Sequence, residues 1–199
     1  MTMLELILVR HGETDSNKKG TYCGWTDTVL NDRGLKQAQL AARKLKGIKP
    51  DAVYSSPLKR AYDTACIINR EALLEIICSD SLKEQNFGEW EDLSYAEIYK
   101  SHPAECGDWA NDWANYCMNG GESTLQLYRR VTGFIDCLLE SNKSGIILLV
   151  THLGCIRFIL SYLLGMSSDG FWRFRVDNGS ISRIIINDEG FAYLTALNI

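Results

Sequence analysis

The sequence predicts an α/β fold: a three-layer α/β/α sandwich with a mostly parallel, mixed central sheet and a helical cap insertion. Three observations predict it. Leu6 to Val9 is a short, fully apolar run of β-formers, the pattern of a strand buried on both faces. Gly145 to Val150 repeats that pattern, and both runs end in a histidine, a glycine turn and a helix start. Between and after them, short strands alternate with amphipathic helices, as in open parallel sheets. The 199 residues are read as a single domain, 1–199, large enough for a full core.

The first strand runs out into Arg10-His11-Gly12, the place where open α/β sheets bind ligands. A guanidinium beside an imidazole offers a fixed charge and a nucleophile, and Gly12 allows close backbone approach. An Arg and a His on an ordinary exposed loop is the plainer alternative. Thr21 to Asp27 is turn-rich. Asn31 then reads as the N-cap of a helix from Asp32 to about Lys46, with Leu35, Ala38, Ala41, Ala42 and Leu45 on its apolar face. Gly47 ends it.

Ala52-Val53-Tyr54 is a second strand. Ser56 reads as the N-cap of the next helix with Pro57 at its first position, which places Arg60 in the first turn, past another strand exit. Ile76-Ile77-Cys78 is a third strand, leading to Glu84. From about 85 to 120 the alternation stops. This stretch holds Trp90, Trp109 and Trp113 with Tyr95, Tyr99 and Tyr116, and reads as the cap, its aromatics mostly packing the cap onto the sheet. From Glu84 to Glu122 there are nine acids and one base, Lys100.

Ser123 caps a helix whose buried stripe is Leu125, Tyr128, Val131, Phe134, Ile135 and Leu138. After the strand 145–150 come Thr151-His152-Leu153-Gly154 and an apolar helix to Leu164, whose first N–H groups favour an anion. Ile181–Ile186 and Phe191–Leu197 flank Asn187-Asp188-Glu189-Gly190 as a closing hairpin, which makes the sheet mixed.

Composition narrows the function. A net charge of −4 argues against nucleic acid or anionic membrane as partner. Seven scattered cysteines without a CxxC pair fit reduced thiols in a cytoplasmic protein and offer no zinc site. Three separated histidines offer no metal cluster either, so no metal and no cofactor is expected. With no signal peptide or membrane-length apolar stretch, a soluble intracellular protein is expected.

Arg10, His11, Arg60, Glu84 and His152 all fall at strand exits. Two guanidiniums and two imidazoles by a helix start suit a tetrahedral dianion, and one carboxyl group beside them suits protonation of a leaving oxygen. Arg10 and Arg60 disfavour imidazolium at His11, keeping it nucleophilic, while a phosphate alongside favours the protonated form of Glu84.

Arg10-His11-Gly12-Glu13-Thr14, Gly24-Trp25, Ser55-Ser56-Pro57-Leu58-Lys59-Arg60-Ala61, Glu84-x-x-Phe87-Gly88 and Thr151-His152 resemble the histidine phosphatase superfamily, in its phosphoglycerate-mutase-like branch. The resemblance covers nearly the whole chain. It implies that His11 is phosphorylated during turnover, that Glu84 is the proton donor, and that Arg10, Asn17, Arg60 and His152 hold the phosphate, with Leu153 beside it. Cys23 stands where many relatives carry Thr or Ser, so the implied contact there is a backbone one through Cys23 or Gly24. Gly120-Gly121-Glu122-Ser123 with Arg130-Val131, and Phe171-Trp172-x-Phe174-Arg175-Val176-Asp177-Asn178-Gly179-Ser180, are most similar to the α-ribazole phosphatases of cobalamin nucleotide-loop assembly.

The expectation is therefore a metal-independent phosphomonoester hydrolase with a small-molecule substrate, α-ribazole 5′-phosphate, acting as a monomer or homodimer. The alternatives are a broad phosphatase, a phosphoglycerate mutase and an inactive phosphate-binding module. The acidic cap is expected to repel a second anionic group, which counts against the mutase. A cysteine phosphatase is excluded, because no cysteine has an arginine six positions on.

Overall fold

A computed structural model describes residues 3–199. The elements in order are β1 (Leu4–Arg10), α1 (Asp15–Lys19), α2 (Asp32–Lys44), β2 (Ala52–Ser55), α3 (Lys59–Ile68), β3 (Ile76–Cys78), α4 (Tyr95–Ser101), α5 (Pro103–Asn111), α6 (Thr124–Ser141), β4 (Gly145–Thr151), α7 (Leu153–Leu163), β5 (Ile181–Ile186) and β6 (Ala192–Ala196). One six-stranded sheet has the order β3-β2-β4-β1-β5-β6. β3, β2, β4 and β1 run parallel, and β5 and β6 complete the sheet antiparallel. All six strands read from the sequence are present.

The sheet is covered on both faces. Leu4, Leu6, Leu8, Ile147 and Leu149 pack on one side against Leu127, Val131 and Ile135 of α6 and Ile156, Phe158 and Ile159 of α7. Ile7, Val9, Leu148 and Val150 pack on the other with Ala41 of α2 and Ala65 of α3. Successive residues of β1 and β4 thus feed opposite cores, so both strands are apolar throughout. Segment 88–120 adds no strand. Trp90, Ile98, Cys106 and Met118, with Tyr22, Trp109 and Tyr116 against them, form a third small core there.

Asn31 caps α2 by accepting the Gly34 N–H at 2.9 Å, and Ser123 caps α6 in a reciprocal arrangement with Gln126. Three readings need correction. α3 starts at Lys59 with no side-chain cap, so Ser56 and Pro57 lie before it. Leu35 is exposed, and Gly34 takes the buried place on α2. On α6, Leu127 is fully buried while Leu125 is only half-buried.

Candidate active site

Register places the site. Arg10 of β1 pairs with Thr151 of β4, so the next residues of the two parallel strands, His11 and His152, leave the sheet side by side. Their ring centroids lie 5.0 Å apart, tilted by 60°. β2 flanks β4 on its other side: the Ser56 N–H donates to Val150 O at 3.0 Å, which brings Ser56 to the same edge.

His11 is buried, and its Nδ1 lies 2.7 Å from the Gly12 carbonyl. A carbonyl only accepts, so Nδ1 carries the proton and Nε2 holds the free lone pair. Burial first, then the charges of Arg60 and Arg10, hold its pKa well below the ordinary 6.5. The sequence expectation of a neutral His11 has this cause, with burial ahead of the arginines. His152 is displaced the same way, by burial first and then by Arg60.

Gly12 approaches the backbone of Gly34, and Gly34 that of Glu13, so closely that no Cβ would fit at either position. The neighbour that requires Gly12 is thus α2 itself. The Gly12 N–H donates to Thr64 Oγ1 at 3.2 Å, tying the His11 turn to α3 as well.

Arg60, in the first turn of α3, is 1% exposed. Its guanidinium donates to the carbonyls of Thr26 (2.9 Å), Cys23 (3.2 Å) and Gly24 (2.5 Å). Cys23 and Gly24 therefore reach the site through their carbonyls, as supports for Arg60. The Gly24 N–H donates to Glu91 at 3.0 Å, so it is not free for a phosphate, and the Cys23 thiol turns toward Thr26 and Thr28.

Arg10 donates from Nη1 to Val176 O at 2.7 Å, while its buried Nε has no protein partner. Burial lowers its pKa to about 10, which leaves it charged at neutral pH. Asn17 lies on α1, where its Oδ1 accepts from the Thr14 N–H and from Asn178 Nδ2 at 3.1 Å each. Its donor end is the one left for a ligand. Asn178 also donates to His11 O at 3.2 Å.

Glu84 meets the start of α7. Its carboxylate accepts the Gln85 N–H at 3.0 Å and the Gly154 N–H at 3.1 Å. One N–H expected to face an anion is thereby engaged by Glu84, with Leu153 the first residue of that helix. The segment from Ser81 to Glu84, beyond the end of β3, is anchored from three sides. Thr151 Oγ1 donates to Leu82 O at 2.6 Å, and Arg130 donates to Ser81, Lys83 and Glu84 carbonyls while paired to Glu122. The Cys155 thiol donates to Lys83 O at 3.0 Å and is pushed up to about 12 by burial, an inert thiol.

Trp25 stands half-exposed beside the Glu84 backbone, its Nε1 donating to Glu84 O at 2.9 Å and Lys83 over its ring. Arg157 of α7 donates to Phe174 O at 3.0 Å, two residues from the carbonyl that holds Arg10, and lies over Phe171 and Trp172. Among the described residues it has no carboxylate within 4 Å.

The structure thus brings together Arg10, His11, Arg60, Glu84 and His152, with Asn17, Leu153 and the Cys23 and Gly24 carbonyls around them. Sequence reasoning missed Ser56, Asn178 and Trp25 as members of the same edge, although each lay within a quoted motif. It also read the acids of the cap segment as a field. Five of them also have specific partners: Glu91 four backbone N–H groups, Glu122 the Arg130 guanidinium, Glu89 Asn119, Glu97 Ser94 and Glu105 Tyr116. Of the cap aromatics, Trp90, Trp109 and Tyr116 build the cap's own core, Trp113 stacks on Phe171, and Tyr95 and Tyr99 are exposed.

Among the described residues no helix is long and apolar enough to cross a membrane, and all seven cysteines are unpaired. Residues 6–199 match the histidine phosphatase superfamily (branch 1). Phosphoserine phosphatase 1 of Hydrogenobacter thermophilus is 36% identical over 197 residues, covering 99% of this chain and 93% of that one. The adenosylcobalamin/alpha-ribazole phosphatase of Escherichia coli is 36% identical over 195 residues, covering 98% and 96%. The crystal structure of a putative alpha-ribazole-5'-P phosphatase from Escherichia coli superposes with a TM-score of 0.94 at 36% identity, covering 98% and 96%. A motif set spread over five strand exits and loops, an α/β/α sheet that gathers it at one edge, and relatives aligned end to end agree: this chain belongs to the histidine phosphatase superfamily and is a phosphatase.

Proposed function

We propose that the protein hydrolyses a small phosphomonoester in two steps at this edge. Nε2 of His11 attacks phosphorus, the phosphorus–oxygen ester bond breaks, and the leaving oxygen takes the proton of Glu84. Water then attacks the phosphohistidine and gives a proton to Glu84, and the phosphorus–nitrogen bond breaks to release phosphate and His11. Arg10, Arg60, the amide of Asn17 and His152 hold the equatorial oxygens, so two arginines supply the charge the reaction needs and no metal is called for. Residues 1–199 act as one domain, and the segment of about 85–120 serves as its cap. Seven unpaired thiols fit a reducing compartment such as the cytoplasm.

The observation that carries this reading is the free Nε2 of a buried His11, fixed by the Gly12 carbonyl, beside His152 and both arginines.

The favoured substrate is α-ribazole 5′-phosphate, supported by the identity to the Escherichia coli relatives. The half-exposed Trp25 beside Glu84 and the exposed Trp172 by Arg157 offer flat surfaces to a planar base. Phosphoserine is the second reading, favoured by the Hydrogenobacter relative and by the Arg157 guanidinium, which is free to take a carboxylate. Comparing kcat/KM for α-ribazole phosphate, phosphoserine and 3-phosphoglycerate tests both. Preference for the first supports the main reading, preference for phosphoserine the second, and interconversion of phosphoglycerates at a comparable rate overturns both in favour of a mutase.

A further inference from the structure

Ser56 has no role in the two-step scheme, yet it is fully buried at the site edge, and its Oγ lies 2.8 Å from Nε2 of His152. We propose that Ser56 is a positioning residue: its hydroxyl donates to Nε2 of His152, holds that imidazole as the Nδ1–H tautomer, and makes His152 a hydrogen-bond donor to the transferred phosphoryl group.

Counting donors and acceptors leads there. A serine hydroxyl has one proton and two lone pairs. The Leu58 N–H already donates to Ser56 Oγ at 3.3 Å, which occupies one lone pair. Were His152 to donate from Nε2, the hydroxyl would accept twice and leave its own proton without a partner in a place closed to water. A buried donor left so is costly. When Ser56 donates instead, its groups are matched, and one polar atom still waits: Nδ1 of His152, buried and without a protein partner. In that tautomer the waiting atom is an N–H, the group an anionic oxygen seeks. In the other it is a bare lone pair that would repel the same oxygen.

The sheet makes this arrangement. Ser55 of β2 pairs with Val150 of β4, so Ser56 lies beside the Thr151-His152 exit, and Pro57 carries the chain away before α3 begins. The serine read as a helix cap thus orients a histidine just past the end of the neighbouring strand. The inference about phosphoryl contact rests on the proposed site; the tautomer does not.

The experiment is 15N–1H NMR of the full-length protein labelled at histidine, with long-range couplings that distinguish the two neutral tautomers. Assignment uses His11→Ala and His102→Ala, and turnover of p-nitrophenyl phosphate is followed in parallel. In the wild type His152 is expected as Nδ1–H. Ser56→Ala should give a mixture and lower kcat by about 10-fold, less than the 10²–10³ of a deleted oxyanion donor. Ser56→Thr, which keeps the hydroxyl, should restore both. A wild-type His152 found as Nε2–H overturns the proposal by itself, even if Ser56→Ala does not fold. So does a folded Ser56→Ala protein with tautomer and kcat unchanged. Full turnover by His11→Ala would instead overturn the site reading, and with it the phosphoryl-contact half of this proposal.

Discussion

His11 and His152 stand with ring centroids 5.0 Å apart because they follow paired residues of two parallel strands, and neither has a charged form that fits its surroundings. Two buried imidazoles beside Arg10 and Arg60 stay neutral where an exposed histidine would begin to protonate. Neutral His11, with Nδ1 bound to Gly12 O, presents Nε2 alone to phosphorus. Rapid quench with 32P-labelled substrate should therefore trap an acid-labile, base-stable adduct on Nε2 of His11. His11→Ala should abolish it, and a chelator should leave its formation unchanged. An adduct that persists in His11→Ala refutes the assignment.

The same burial makes stability depend on pH. Both histidines bind protons less readily folded than unfolded, where their pKa is near 6.5. As pH falls below 6.5 the unfolded chain takes up protons that the folded site refuses, so stability drops. Above 6.5 neither form is protonated and this contribution is flat. Urea unfolding from pH 7.5 to 5.0 should show stability falling on the acid side. The fall should be shallower in His152→Asn, which removes one of the two groups. An equal slope in that variant counts against the buried neutral histidine.

The sheet was legible in the sequence because its signal is local: Leu6–Val9 and Gly145–Val150 are apolar for two faces, and the histidines mark where they end. What was not legible is where a polar side chain finds its partner. Ser56 before Pro57 fits an N-cap locally, and only the β2–β4 pairing, which spans about a hundred residues of chain, gives its hydroxyl to His152. Among the nine acids from Glu84 to Glu122, the partners of Glu91 and Glu122 were hidden for the same reason: backbone N–H groups of loop 24–26 and of Phe87 meet the first, and Arg130 pairs with the second. Leu35 fits the helical period of α2 but lies outside the arc where Gly34, Ala38 and Ala41 meet their neighbours.

Glu84 is held by two backbone N–H groups at the α7 start, a fixed position from which to serve a leaving oxygen. Glu84→Gln keeps the shape and removes the transferable proton. It should slow the phosphorylation step of an alkyl phosphate by about 10²-fold, within the range for general acids. p-Nitrophenyl phosphate, whose leaving group needs little protonation, should be slowed far less. Equal slowing of both substrates in single-turnover measurements would make Glu84 structural.

Glu91 governs Arg60 from the far side of a loop. Its carboxylate accepts four backbone N–H groups: Trp25 at 2.8 Å, Gly24 and Phe87 at 3.0 Å, and Thr26 at 3.2 Å. The carbonyls of Cys23, Gly24 and Thr26 meanwhile accept from Arg60. Loop 23–26 is thus held between a carboxylate on its N–H side and a guanidinium on its carbonyl side. Glu91→Gln replaces one acceptor oxygen by a donor and leaves two of the four N–H groups facing an amide NH2. At about 1–3 kcal/mol for each unsatisfied donor, the loss of stability should be about 2–6 kcal/mol. Because the loop sets where Arg60 points, kcat/KM should also fall by about 10-fold, and inorganic phosphate should inhibit more weakly. A variant that melts earlier but keeps both kinetic values would confine Glu91 to holding the loop and break its link to Arg60.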